Sequence, residues 1–427
     1  METVHTWKYI DFLWQSKKMR QQAISSGDYN YTQMMPMDVD QASDGRIFVS
    51  FNGQKGVPAV LGTVTRIVKY RSGPLIKPYP NWSWFKKNDC NYMQNVYRIA
   101  IDECQRLWVL DTGSREESKE EVRVECDPKL FVFDLKTDTL ISKIIIPKEY
   151  ALGSNNLTLL ATPIVETSGH DCSDTTVYMA NVLGQAMVIW NNGKWSRLEH
   201  PVFDPVESAA NITSGGNTIE WNAGIVTMDL SPEFLPGEPR QLYFHSLASF
   251  DLNWADAGRL KRSSDGSDVD YYSAKNVLSS QAVGVAFSSE GTLFMGLPKE
   301  AAIACYNKYR DLKPVNVQII TQDSKRMQYI NGMKTIRNPR TNKEELIVIS
   351  NRLIAFEFDK LNFKDYNFHI LKKSVEELVV DTECALPDEI RRKKYDSMNP
   401  NNEELYFFGK SNSADHKNNN VFNHVYG

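Results

Sequence analysis

A single two-strand phrase recurs six times along this chain, and that repetition limits the fold more than any other feature. Its clearest copy is Ile99 to Asp111: an alternating strand, a short polar turn, then a second apolar strand. Other copies run from Pro36 to Phe51, with Asp44-Gly45 as the turn, and from Thr162 to Asn181, Gly224 to Ser246, Val283 to Leu297 and Met333 to Ser350. A third strand is expected after most of them, at Val64 to Tyr70, Lys129 to Leu135, Gln185 to Trp190, Ala302 to Tyr306 and Leu353 to Phe358. The copies start about 50–65 residues apart, the period of a propeller blade with long loops. One blade cannot cover both of its own faces. Blades stacked around an axis cover each other and leave few open edges. Runs such as Leu346-Ile347-Val348-Ile349 fit strands buried on both sides. The chain is therefore read as all-β, a six-bladed β-propeller; a pair of β-sandwiches is the alternative.

The ends are expected to differ from the ring. Residues 1–30 form an arm in which 5–14 alternate like a strand and close the ring against the last blade, with a helical stretch around Lys17 to Ile24. The propeller spans 31–385, and residues 361–384 either complete its sixth blade or pack beneath it. Residues 386–427 form a polar C-terminal tail. It holds the charge run Arg391 to Lys394 and Asn-rich stretches, and from about residue 395 it is expected to be poorly ordered. Tyr406, Phe407 and Phe408 are expected to dock locally.

Several function classes are excluded. With 49 basic and 53 acidic residues and a net charge of −4, the chain lacks the basic field that nucleic acid or an anionic membrane requires. It has no apolar run long enough for a transmembrane helix. Four Asn-x-Ser/Thr sequons occur, at Asn30, Asn81, Asn156 and Asn211. There are six cysteines, Cys90, Cys104, Cys126, Cys172, Cys305 and Cys384, none in a Cys-x-x-Cys pair. Together these point to a secreted, extracellular glycoprotein whose signal segment has been removed. A cytosolic protein with six free thiols is the alternative. Spacing alone leaves the disulfide connectivity open.

No catalytic motif emerges. The histidines form no His-x-His or His-x-x-x-His pair, there is no Gly-x-Ser-x-Gly elbow, and no Gly-rich loop suits a phosphate. His245, in an expected strand, reads as a satisfied structural histidine. Asp102, Asp111, Asp229 and Asn181 fall at strand ends near the axis, where oxygen ligands would suit calcium. The same residue types also make ordinary turns. No metal, cofactor or catalytic residue is assigned. Propellers gather loops at the mouth of the central channel, so ligand-binding candidates are Trp221, Asn222, Asn181, Phe250, Asn331 and Asn351. Trp221 offers a stacking face and the amides offer polar contacts. The competing reading has Trp221 as core and the Asn residues as turn formers.

Longer phrases are more specific. Ala100-Ile-Asp-Glu-Cys-Gln-Arg-Leu-Trp-Val-Leu-Asp-Thr-Gly113 and Gly73-Pro-Leu-Ile-Lys-Pro-Tyr-Pro-Asn-Trp-Ser83 resemble signatures of the yellow and major royal jelly protein family of insects. Trp7-Lys-Tyr9 and Arg20-Gln-Gln-Ala-Ile-Ser-Ser-Gly-Asp-Tyr-Asn-Tyr31 resemble the royal jelly branch in particular. Asp174 to Tyr178, Ala304 to Asn307 and Val348 to Arg352 extend the resemblance over about 5–390. It implies secretion, N-glycosylation and six blades. It also implies the pairs Cys104–Cys172 and Cys305–Cys384, which leaves Cys90–Cys126 as the third.

For function the resemblance implies a secreted, non-enzymatic nutrient, storage or signalling glycoprotein. Its partners would be a sterol or other small molecule, a small peptide, or further copies of itself. The alternatives are a dopachrome-converting enzyme of melanin synthesis and a scavenger of biogenic amines. Asn351 matches a ligand-contacting Asn of amine-binding salivary relatives. The expected aromatic two residues later is Leu353 here, and a contacting Thr is replaced near Gly332, which weakens an amine box.

Overall fold

The computed structural model describes residues 1–69, 72–117, 121–153, 159–168 and 172–398. Six four-stranded antiparallel sheets circle one axis. Blade 1 is Pro36–Gln41, Ile47–Phe51, Leu61–Lys69 and Gly73–Pro78; blade 2 is Val96–Ile101, Arg106–Asp111, Lys129–Asp134 and Thr139–Ile145. Blade 3 is Leu160–Ser168, Asp174–Asn181, Ala186–Asn191 and Lys194–Glu199; blade 4 is Ile225–Leu230, Gln241–Ser246, Leu252–Asp256 and Tyr271–Ala274. Blade 5 is Val285–Phe287, Thr292–Leu297, Ala302–Asn307 and Gln318–Gln322. Blade 6 takes Tyr329–Arg337, Glu344–Asn351 and Phe368–Ser374 from the end of the ring and Glu2–Trp7 from its beginning. The first strand of each blade faces the axis and touches the first strands of both neighbours.

Burial follows from this stacking. Middle strands such as Thr292–Leu297 and Ala302–Asn307 are buried along their whole length, because blades cover both faces. Outer strands such as Thr139–Ile145 are mostly exposed. Tight turns need left-handed backbone at set points, and Gly45 supplies it after Asp44 with φ 89°.

Side chains on the inner strands tie blade to blade. Asp38 and Asp40 of blade 1 accept the Ile99 and Ile101 amides of blade 2, at 3.1 and 2.8 Å. Thr162 donates to the Val226 carbonyl at 2.8 Å, and Asp229 accepts the Phe287 amide at 2.6 Å. Thr335 of blade 6 donates back to the Phe287 carbonyl at 2.6 Å. Lys334 of blade 6 reaches Asp38 of blade 1 at 3.1 Å. Burial pushes the Asp40 carboxyl up to about 7, against the opposing pull of Lys334 and the Ile101 amide. Burial likewise raises Asp229.

The ring closes non-covalently. Glu2–Trp7 pairs antiparallel with Phe368–Ser374. Trp7 is 1% exposed, and its indole donates to the Pro74 carbonyl of blade 1 at 2.6 Å. The arm then runs along blade 1, where the Lys8 and Leu13 amides donate to the Ser72 and Ile76 carbonyls, both at 2.8 Å. The closing strand therefore starts and stops earlier than the expected 5–14, and the second half of that stretch seals blade 1 instead. Ser16 caps the helix Lys17–Ser25 by accepting the Met19 amide.

Three disulfides use all six cysteines: Cys90–Cys126, Cys104–Cys172 and Cys305–Cys384. They are the pairs implied by the family resemblance. Cys104–Cys172 joins blades 2 and 3, and Cys305–Cys384 fixes the chain after the sixth blade onto blade 5.

Two further expectations change. Leu353 to Phe358 is not a strand: Leu353–Glu357 is a short helix that buries Ile354 and Phe356. The place beside Glu344–Asn351 is taken by Phe368–Ser374, so the earlier apolar run packs elsewhere. The tail is helical over Asp388–Met398, where Asp388 and Glu389 suit the first turn of a helix. Leu386 and Ile390 pack on Phe234. The charge run lies on this helix, with Lys394 Nζ 3.7 Å from the centre of the Phe234 ring. Tyr406, Phe407, Phe408 and the Asn-rich stretches lie outside the described residues.

Trp7→Ala leaves a hole where the two ends of the ring meet and should cost about 3–5 kcal/mol, read from the denaturant midpoint. Cys305→Ala with Cys384→Ala should cost about 2–4 kcal/mol by freeing a long loop in the unfolded chain. Asp40 holds its proton more tightly folded than unfolded, so its contribution to stability grows as pH falls from about 7 toward 4. Burial lowers His245 and His369 to about 4, and their contribution is lost as pH falls through 6.5 toward 4. Comparison with Asp40→Asn isolates the aspartate: the stability of wild type relative to the variant should rise on acidification, by at most about 1.4 kcal/mol per pH unit.

Candidate functional site

The inner strands leave a channel, and one end of it widens into a cavity of about 540 Å³. Its upper parts come from segments outside the blades. One is the hairpin Ser114–Glu116 with Val122–Val124; another is the hairpin Asn211–Ser214 with Asn217–Glu220; the third is the helix Leu353–Glu357. The helix packs on the second hairpin. The first hairpin is docked by the backbone: the Glu116 amide donates to the Gly53 carbonyl at 2.9 Å, and the Lys55 amide donates to the Glu116 carbonyl at 2.9 Å. Gly53 has to be glycine at this approach, since a Cβ there would collide with the Gln94 carbonyl.

Apolar side chains dominate the walls, among them Met37, Val226, Leu247, Val283, Leu353 and Phe356. Tyr97, Trp221 and Tyr329 add aromatic surface. Trp221 packs partly on a small cluster that includes Ile212, Leu247 and Ile354. Lys55, Glu220 and Asn222 line the cavity from exposed positions and mark its rim. The buried Arg98 and Asn331 mark its floor. Arg98 also borders a smaller hollow of about 130 Å³ together with Thr162, Asp229, Met333 and Lys334. Its guanidinium therefore divides the channel.

The polar groups of the wall form a small network. The Tyr97 hydroxyl donates to Glu116 Oε1 at 2.6 Å. Asn52 Nδ2 donates to Gln54 at 3.2 Å and to Glu116 at 3.4 Å. Burial raises the Glu116 carboxyl, opposed by the Tyr97 and Asn52 hydrogen bonds. Burial, then the Glu116 charge, pushes the Tyr97 hydroxyl well above its ordinary value. Asn52 is 6% exposed, and its Oδ1 receives no hydrogen bond. A buried acceptor left this way asks for a donor from whatever fills the cavity.

Trp221, Asn222 and Asn331 line this cavity. Asn331 Nδ2 donates to Met37 Sδ at 3.5 Å, and its Oδ1 accepts from Arg98 at 3.4 Å. The other three expected residues take structural roles. Asn181 is buried, donates to the Ala151 carbonyl and accepts the Gly184 amide, each at 2.9 Å. Asn351 donates to the Pro36 carbonyl at 2.9 Å and accepts the Leu353 amide at 3.0 Å, joining blade 6 to blade 1. Both ends of its amide are occupied. Phe250 is half-buried away from the cavity lining, and its carbonyl accepts the Leu278 amide at 3.0 Å. Gly332 lies against Asp38 so closely that a threonine side chain would collide with the carboxylate.

The acids flagged near the axis are also engaged. Asp102 staples its own turn, accepting the Arg106 amide and the Arg106 and Trp108 side chains. Asp111 accepts three backbone amides, those of Gln94, Asn95 and Gly113. His245 Nδ1 lies 2.7 Å from the Asp251 carbonyl, and its Nε2 accepts the Ala282 amide at 3.0 Å. Among the described residues no group of three His, Cys, Asp or Glu side chains converges. Arg98, Tyr97, Glu116 and Asn52 are cavity residues that motif reading missed. Tyr97 and Arg98 lie on Val96–Ile101, just ahead of the residues that open the clearest repeat, but nothing in their spacing marks them as facing the channel.

Asn30 and Asn81 are exposed, and each side-chain oxygen accepts from the hydroxyl two residues on, Thr32 at 2.8 Å and Ser83 at 2.6 Å. Asn211 is exposed, and Asn156 lies outside the described residues.

The family profile described as "Major royal jelly protein" matches residues 94–384. Major royal jelly protein 9 of Apis mellifera is 35% identical over 393 residues, covering 90% of this chain and 90% of that protein. Major royal jelly proteins 2 and 1 of the same species are 34% and 33% identical, covering 90% and 91% of this chain and 85% and 90% of theirs. Among solved structures, an α-L-arabinofuranosidase of Fusarium graminearum is similar with a TM-score of 0.49 at 10% identity, over 87% of this chain and 98% of that one. That likeness is too weak to speak of chemistry. Profile and relatives agree over most of the sequence, and the chain belongs to the major royal jelly protein family.

Proposed function

We propose that this protein is a secreted, non-enzymatic glycoprotein of the royal jelly type that carries a small, largely apolar molecule in the mouth of its channel. The observation that carries this reading is the cavity of about 540 Å³. That volume falls in the range of about 300–1,000 Å³ of small-molecule sites. Its walls are mostly apolar, and Asn52 Oδ1 waits there without a donor. Export is supported by three disulfides that consume all six cysteines, and glycosylation by the exposed Asn30, Asn81 and Asn211. The nutrient, storage or signalling role, and assembly with a small peptide or with further copies, come from kinship with royal jelly proteins.

Dopachrome conversion and amine scavenging stand as alternatives. For the enzyme, proton transfer needs a base poised near the working pH. The Tyr97–Glu116 pair offers a phenol held well above that range and a carboxyl that burial raises but that is already engaged by Tyr97 and Asn52. For amine binding, the matching Asn351 has both ends of its amide occupied inside the fold.

Native mass spectrometry of protein purified from its source should show a retained small molecule in the 1:1 complex. Val226→Phe, which fills the cavity from its wall, should lower retention at least 10-fold with the melting temperature little changed. Spontaneous dopachrome decay should run at the same rate with and without the protein. A protein that emerges empty, or retention untouched by Val226→Phe, would sink the carrier reading, and accelerated decay would favour the enzyme.

A further inference from the structure

Arg98 is an uncommon group to find at the floor of an apolar well. It is 6% exposed and stands on the inner strand of blade 2. Its guanidinium crosses the channel to the opposite side of the ring. Nη1 donates to the Asn331 carbonyl, and Nη2 donates to the Val283 carbonyl at 2.8 Å and to Asn331 Oδ1 at 3.4 Å. All of these acceptors are neutral. Among the described residues no carboxylate lies within ion-pair distance of it. Asp38 acts on it only at longer range and is itself held by Lys334 at 3.1 Å and by the Ile99 amide at 3.1 Å.

A buried cation without a counter-charge is costly, because burial strips the water that would stabilise it. Carbonyls solvate it but do not neutralise it. Arginine cannot escape by losing its proton. The side chain offers five N–H groups in a planar fork, and its Nε makes no hydrogen bond among the described residues. Because Arg98 lines both hollows, the fork is reachable from the larger cavity.

Four glutamates also line the cavity, Glu116, Glu117, Glu220 and Glu357, and each repels an anion that comes near it. Their placement decides the outcome. Glu220 is exposed at the rim, where water and salt screen it. Glu116 is tied up by Tyr97 and Asn52. Glu117 and Glu357 stand on the hairpin and the helix that form the upper parts of the cavity, and among the described residues no glutamate is one of the charges that act on Arg98 at the floor. Arg98 sits where the dielectric is low and a charge acts most strongly. Between floor and rim the walls are Val226, Leu247, Val283, Leu353 and Phe356.

We infer that the cavity takes an apolar monocarboxylate, its head group on the Arg98 guanidinium and its hydrocarbon part along these walls. This rests on the carrier reading above and names the chemical class of the cargo. The contacts to Val283 and Asn331 brace the channel and orient the fork, so Arg98 both bridges the blades and anchors the ligand.

Titration calorimetry of the intact protein with decanoate, decanol and decylamine tests it at neutral pH and moderate salt. Decanoate should bind at least 10-fold tighter than decanol, and decylamine weakest of the three. In Arg98→Met the preference for decanoate over decanol should fall to within about 2-fold while decanol binding persists. Should that variant fail to fold, the three-ligand ranking on the natural protein decides by itself, and Arg98→Lys should retain part of the preference. Equal binding of acid and alcohol, tightest binding of the amine, or a preference that survives in Arg98→Met would overturn the assignment while leaving a carrier in place. Binding of none of the three, together with an empty protein in native mass spectrometry, would overturn the carrier reading itself.

Discussion

The ladder of backbone hydrogen bonds between Glu2–Trp7 and Phe368–Ser374 is the interaction on which the ring depends. Without it, blade 6 has three strands and an open edge, and open edges recruit other chains. Closure brings together residues more than 350 positions apart, which is expensive in chain entropy. Trp7 makes the ladder hold. It fills the seam between the last blade and the first, and its indole hydrogen bond reaches blade 1. The covalent ties lie elsewhere: Cys104–Cys172 and Cys305–Cys384 link neighbouring blades or the chain end, and no disulfide spans this seam.

Inside the ring, polar side chains have a job that apolar ones cannot do. The inner strands converge where there is little room for packing, and their outward-facing amides need partners. Asp38, Asp40 and Asp229 accept those amides from the next blade. Thr162 and Thr335 supply the complementary donors. Buried carboxylates near an axis resemble a metal site when read as letters. Here they are joints, and Lys334 meets the charge of Asp38. Arg98 differs from them because its nearest partners are carbonyls.

The blades were legible because strand alternation and turn chemistry are local. Ile99 to Asp111 announces two strands and a turn without knowledge of its neighbours, and so do the other copies. Leu353 to Phe358 misled for a related reason: an apolar run of six residues does not say which neighbour will cover it. It became a helix over the channel because Phe368–Ser374 already occupied the sheet position. The candidate site was legible in part. Trp221, Asn222 and Asn331 do line the cavity, while Asn181 and Asn351 turn their amides to backbone groups. An Asn at a strand end looks the same on paper in either role.

What the sequence determined alone was everything that rests on short-range pattern: six repeated strand units, the absence of a basic field, an even set of cysteines and, through longer phrases, kinship with the royal jelly proteins. What only the tertiary structure decided was which side chains meet across the axis. Arg98 and Asn331 lie more than 230 positions apart in the chain and hydrogen-bond on the cavity floor. Tyr97, Glu116 and Asn52 come from three separate segments and share one wall. A propeller places residues by rotation about an axis, and the angle each blade takes is set by packing between sheets, which no local run of residues encodes.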